Sequence, residues 1–128
     1  MPRYFTLDEA TALLPRLREE VAALRAGSRE LAAQRAALAG LAELPKSNGY
    51  AGEADEIERR IAGLLRDLGL RLDALTGLGV AVKDLEHGLI DFPSLRDGRV
   101  VYLCWRIDEE RIAYWHELDA GFQGRQPL

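Results

Sequence analysis

Few residues in this chain of 128 could carry chemistry: two histidines, one cysteine, and carboxylates spread among 21 acidic residues. His116 is the best placed. Residues 100–107 (VVYLCWRI) are rich in β-branched and aromatic side chains, Asp108-Glu109-Glu110 is a short acidic break, and residues 111–115 alternate apolar with polar. This pattern predicts a β-hairpin with a three-residue loop and His116 at the end of its second strand. Pairing Ile107 with Arg111 puts Tyr102 opposite His116, Cys104 opposite Tyr114 and Arg106 opposite Ile112, all on one face. With Asp91 opposite Tyr102, a carboxylate joins that face, whereas a slip of one residue would send it to the other side.

An imidazole beside carboxylates suits a divalent transition metal (zinc, iron or manganese), because neutral nitrogen and anionic oxygen bind such ions and can leave a coordination position open. His116 and Asp91 are the first candidate ligands and Asp84 the next, followed by Glu9, Glu117 and Asp119. The competing reading makes His116 a hydrogen-bonded strand-end histidine and pairs Asp91 with Arg106 or Arg125. Those two arginines are also the candidates for binding an anionic ligand. Cys104, in a strand next to Trp105, reads as a small buried hydrophobe with nothing adjacent to lower its pKa. A Cys-His hydrolase would need Cys104 against His116, and the predicted register separates them by one strand-pair step. Neither Asp84 to His87 nor His116 to Asp119 has HExxH spacing, and the glycines at 77–79 and 121–124 have no helix behind them to make a phosphate loop.

The elements that must position these residues begin with Thr6-Leu7-Asp8-Glu9, a capping box that starts a helix at about Leu7. Pro15 predicts a kink, or a short first helix followed by another. Positions 14, 17, 21, 24, 28, 31, 35, 38 and 42 form a heptad seam interrupted by Ser28 and Arg35. Residues 45–52 (PKSNGYAG) are dense in turn formers, and a second helix is expected from about Ala54 to Thr76, with Ile57, Ile61, Leu64, Leu65, Leu68, Leu72 and Leu75 on one stripe. Strands are expected at 80–83 and 89–92, with Pro93 stopping the latter and Asp97-Gly98 marking a turn. The tail from Gly121 should be irregular, ordered only if Phe122 finds a pocket.

The fold class is therefore α+β: a long antiparallel helical hairpin, coiled-coil-like, with a small antiparallel sheet of three to four strands. One domain covers 1–128, with the hairpin at 6–44 and 54–76, the sheet at 80–117 and the tail at 118–128. Each helix has apolar surface beyond a single stripe, which either the sheet or a second copy of the chain must cover. A homodimer through the hairpin, its register set by Ser28 and Arg35, is the expected partner.

Composition excludes other classes. The chain is 48% hydrophobic and 30% charged with a net charge of −4, and its basic residues are spread out, so no nucleic-acid partner is expected. A single cysteine excludes an internal disulfide and fits a reducing, cytoplasmic setting. Met1-Pro2-Arg3 leads straight into the helix signal without a signal-peptide core, and no apolar run approaches the ~18 residues of a membrane span.

The segments YFTLDEATALLPRLR (4–18), GVAVKD (79–84), GLIDFP (88–93), GRVVYLCWR (98–106) and YWHELDAGFQGRQP (114–127), taken together, resemble a bacterial family catalogued as domain of unknown function 2203. The resemblance implies a small cytoplasmic protein with a helical hairpin and a small sheet, and no established activity. It singles out Glu9, Asp84, Asp91, Arg106, His116 and Arg125, with His87 outside the pattern. Three functions follow as expectations: divalent-metal binding through His116 and nearby carboxylates, a helical dimerisation or interaction module without metal, or a metal-dependent hydrolase or oxygenase.

Overall fold

The first helix, α1 (Leu7–Ala42), starts at the predicted capping box. In the computed structural model, which describes residues 3–45 and 49–128, the Glu9 amide donates to the Thr6 hydroxyl at 3.1 Å and the Thr6 amide donates to Glu9 Oε1 at 2.8 Å. These two bonds satisfy amides that have no partner inside the helix, and the Thr6 amide, with the Thr6 side chain second, holds the Glu9 carboxyl below the usual carboxylate range. Pro15 does not end the helix, which runs through it as one element. Thr11 and Pro15 both face solvent, so water can satisfy the carbonyl that proline leaves unbonded.

The seam of α1 is buried at Ala10, Leu14, Leu17, Val21, Leu24 and Leu31, then fades, with Ser28 and Arg35 exposed. The second helix, α2 (Ala51–Leu78), begins three residues earlier than expected and ends two later, at a left-handed Gly79. Of the predicted turn-rich stretch, residues 46–48 lie outside the described residues, as do Met1 and Pro2. The helices pack together, and at Gly27 the approach is close enough that an added Cβ would sit 2.8 Å from Leu68 Cδ2. On α2, Leu75 is buried and Ile57, Ile61, Leu64 and Leu68 are half-buried, whereas Leu65 is 47% and Leu72 38% exposed. The predicted stripe is therefore split between a packed side and an open one.

Five antiparallel strands follow in sequential order, one more than the upper expectation: β1 (Ala81–Asp84), β2 (Leu89–Arg96), β3 (Arg99–Arg106), β4 (Tyr114–His116) and β5 (Gln126–Pro127). The additional strand comes from the tail, where a single 3-10 turn at Phe122–Gly124 returns the chain to pair Gln126 with Trp115 and Pro127 with Tyr114. Asp97 and Gly98 both have positive φ, 53° and 76°, the two-residue turn that matches strand twist and pairs Arg96 with Arg99.

Pro93 does not stop β2. Its carbonyl accepts the Phe5 amide at 2.7 Å, and because nitrogen and oxygen of one strand residue face the same side, its missing N–H costs the β2–β3 ladder nothing. Strand β1 reaches only as far as Asp91, so Phe5 occupies the edge of β2 beyond it. β4 is shorter than expected for an equally local reason. The Arg106 amide donates to the Glu109 carboxylate at 2.7 Å, and the Trp105 indole donates to the Glu109 carbonyl at 2.9 Å. Arg106 is thus not paired with Ile112, and residues 107–113 form a longer connection.

One face of the sheet is core. Ile90, Phe92, Val101, Leu103, Trp105 and Trp115 pack with Phe5, the seam of α1, Leu75 and Val80. Phe5 meets Phe92 edge to face at 5.5 Å, and the buried Ser94 hydroxyl donates to the Phe5 carbonyl at 2.7 Å. Replacing Ser94 by alanine strands that carbonyl and should cost about 1–3 kcal/mol, lowering the urea midpoint at constant slope. Leu95→Ala, at a position 55% exposed, should stay within about 0.5 kcal/mol in the same measurement.

Candidate functional site

The sheet's other face brings three buried side chains from three adjacent strands together. Asp91 of β2 lies opposite Cys104 of β3, and Tyr102, two residues before Cys104, lies opposite His116 of β4. The β3–β4 register is the predicted one. Asp91 pairs with Cys104, two residues from the expected Tyr102, which pairs with Pro93 instead, and a shift of two keeps a side chain on its face. One ligand atom from each of Asp91, Cys104 and His116 lies within 4.8 Å of the others, and all three residues are at most 3% exposed.

The hydrogen bonds assign the imidazole's roles. His116 Nδ1 is 2.7 Å from the Glu117 carbonyl. A carbonyl can only accept, so Nδ1 carries a proton and donates it. His116 Nε2 is 3.0 Å from Asp91 Oδ2. Two lone pairs cannot face each other at that distance: either a proton sits between them or a cation draws both. A ring whose far N–H is anchored on a main-chain carbonyl while its other nitrogen faces a carboxylate is oriented as metal-binding imidazoles are.

The same bonds argue against a thiol nucleophile. Both ring nitrogens are already engaged, and the group acting on the thiol is the Asp91 carboxylate. Burial first, and Asp91 second, push the Cys104 thiol up to about 12, the reverse of activation. Asp91, not His116, is the middle member of the trio.

The trio forms the buried floor of a cavity of about 170 Å³. The half-buried Tyr102 and Leu89 line it too, and Leu118, Gly121, Phe122 and Lys83 line it from exposed positions. The Tyr102 ring centroid is 5.4 Å from that of His116, and Lys83 Nζ lies 5.0 Å from the centre of the Tyr102 ring.

The remaining predicted residues lie elsewhere. Asp84 accepts from the His87 amide at 3.1 Å and sits 2.8 Å from the His87 ring, which holds its carboxyl below the usual range. It lines a separate cavity with Arg106, outside the trio. Glu9 caps α1, and Glu117 is held by Arg99 at 3.2 Å. Asp119 is exposed. Neither arginine pairs with Asp91. Arg106 is bound to Asp108, while Arg125 Nη2 lies 2.7 Å from both Glu109 oxygens, its guanidinium over the Tyr114 ring at 4.0 Å and near Phe122 at 4.6 Å. Cys104 is the member that sequence reading left out of the ligand set, although the predicted alternation had already put it on the correct face. Lys83 and the 118–122 wall had no local signal.

A family model described as an uncharacterized conserved protein, DUF2203, matches residues 3–128. No curated protein and no solved structure matches the chain. No helix among the described residues is long and apolar enough to cross a membrane.

A thiol at 2% exposure with its pKa raised to about 12 should resist alkylation in the folded, metal-free protein at pH 8. Iodoacetamide should label Cys104 at least about 100-fold more slowly than after unfolding in guanidinium, as followed by mass spectrometry. Equal rates in the two states would show a thiol open to solvent.

Proposed function

The chain belongs to the DUF2203 family of uncharacterized conserved proteins, and from its own geometry we propose that it binds one divalent transition-metal ion through Asp91, Cys104 and His116. The observation that carries this reading is the buried convergence of a carboxylate, a thiol and an imidazole whose Nδ1 is anchored on a carbonyl. A buried carboxylate calls for a compensating positive charge, and a set of mixed oxygen, sulfur and nitrogen donors receives it better from a transition ion than from calcium or magnesium. Among zinc, iron and manganese, a thiolate donor favours zinc and iron, since manganese prefers oxygen. Three protein ligands leave a position open, as in catalytic rather than structural zinc sites, and the cavity lies over the trio.

Binding removes the proton on the Cys104 thiol, which burial and Asp91 otherwise hold in place and a coordinating metal strips outright. Affinity should therefore rise with pH, and acid should release the ion. Purified protein incubated with zinc or iron(II) and then gel-filtered should retain one ion per chain by elemental analysis. His116→Ala, Cys104→Ser and Asp91→Asn should each retain far less while keeping the parent's helical circular dichroism. A parent that holds no stoichiometric ion at pH 7 to 8 would retire the metal reading.

A second reading, a helical dimerisation module without metal, is favoured by the open leucines Leu65 and Leu72 on α2. Sedimentation equilibrium separates the two surfaces. In a dimer built on that stripe, Leu65→Glu with Leu72→Glu should yield a folded monomer, whereas a parent that is already monomeric at high concentration removes this reading.

A further inference from the structure

Resting on the metal reading above, we propose that this centre takes a short-chain aliphatic carboxylate, one oxygen of which occupies the metal's remaining position while Lys83, in the cavity lining, holds the anion.

Charge, shape and placement support this together. With Asp91 and Cys104 both anionic in the loaded site, the two ligands cancel the charge of a divalent ion. Lys83 is then the uncompensated charge among the residues lining the cavity. Among the described residues it makes no ion pair, and its ammonium sits over the face of Tyr102, where a cation gains from the ring's negative surface without being neutralised. A cavity with one spare positive charge matches a monoanion. The walls decide what kind. Leu89, Leu118 and Phe122 offer hydrocarbon and no hydrogen-bonding side chains, so they suit an alkyl tail and give a fully hydrated inorganic anion nothing. The volume of about 170 Å³ limits that tail to a few carbons. Tyr102, whose hydroxyl makes no hydrogen bond among the described residues, is the neutral donor available in the cavity lining.

Cobalt(II) substitution tests the site and the ligand in one sample. Cobalt uptake should produce visible ligand-field bands and a near-ultraviolet thiolate-to-cobalt charge-transfer band, the latter lost in Cys104→Ser. If these bands do not appear, the metal reading itself fails. If they appear, butyrate should shift the visible bands saturably, while 1-butanol and inorganic phosphate at the same concentrations should not. Lys83→Gln should leave the cobalt bands as in the parent and weaken butyrate about fivefold, the effect of one solvent-facing charge, with Lys83→Arg restoring it. The carboxylate assignment is overturned, with the metal reading intact, by cobalt bands indifferent to butyrate, by phosphate or butanol acting as strongly, or by Lys83→Gln that binds butyrate as the parent does or loses cobalt.

Discussion

A carboxylate buried to 3% exposure is intolerable without a compensating positive charge or a full set of donors, and in this fold the compensation for Asp91 arrives from another strand. His116 stands 25 residues away in sequence and 3.0 Å away in space. That contact requires β2, β3 and β4 to pair in one register, because a slip of a single residue would turn Asp91 into the apolar core and leave the imidazole facing empty space. The rest of the molecule serves this alignment. The tight Asp97-Gly98 turn sets the β2–β3 register, and α1 covers the opposite face so that the side chains of Val101, Leu103 and Trp105 have only one direction to go.

The two helices and the sheet are visible in the residues themselves because each is specified by a local signal: the capping box at Thr6, the three-four spacing of Leu14 to Leu31, alternation along 100–106, and the Asp-Gly dipeptide. Period-two alternation is also why the face shared by Asp91, Cys104 and His116 can be read even though the partner of Asp91 is displaced by two positions. What stays hidden is set by side chains reaching across space. Glu109 takes the Arg106 amide and cuts β4 short, and the nitrogen of Pro93 faces the edge where Phe5 sits, away from the ladder to β3. Next to the fifth strand, Glu109 holds Arg125 against the Tyr114 and Phe122 rings, a contact that no window of tail sequence announces.

Cys104 illustrates a different difficulty. By composition it is a small apolar residue and its burial agrees, so hydropathy classes it with the core. Its direction classes it otherwise: along β3 the core side chains are Val101, Leu103 and Trp105, and Cys104 points away from them toward Asp91. A thiol on the polar side of a sheet, opposite a carboxylate, is a chemical group. The same geometry that makes it a credible metal donor makes it a poor nucleophile, since an anion next to a thiol stabilises the proton that nucleophilic chemistry must remove.

The carbonyl holding His116 Nδ1 belongs to Glu117, the very next residue. Ring orientation in many proteins rests on a distant carboxylate that drift or mutation can take away. Here the choice of nitrogen is made by the main chain, which a change of side chain does not remove. Substitution of the cavity's hydrocarbon lining or of its lysine therefore leaves in place the acceptor that sets which ring nitrogen faces Asp91.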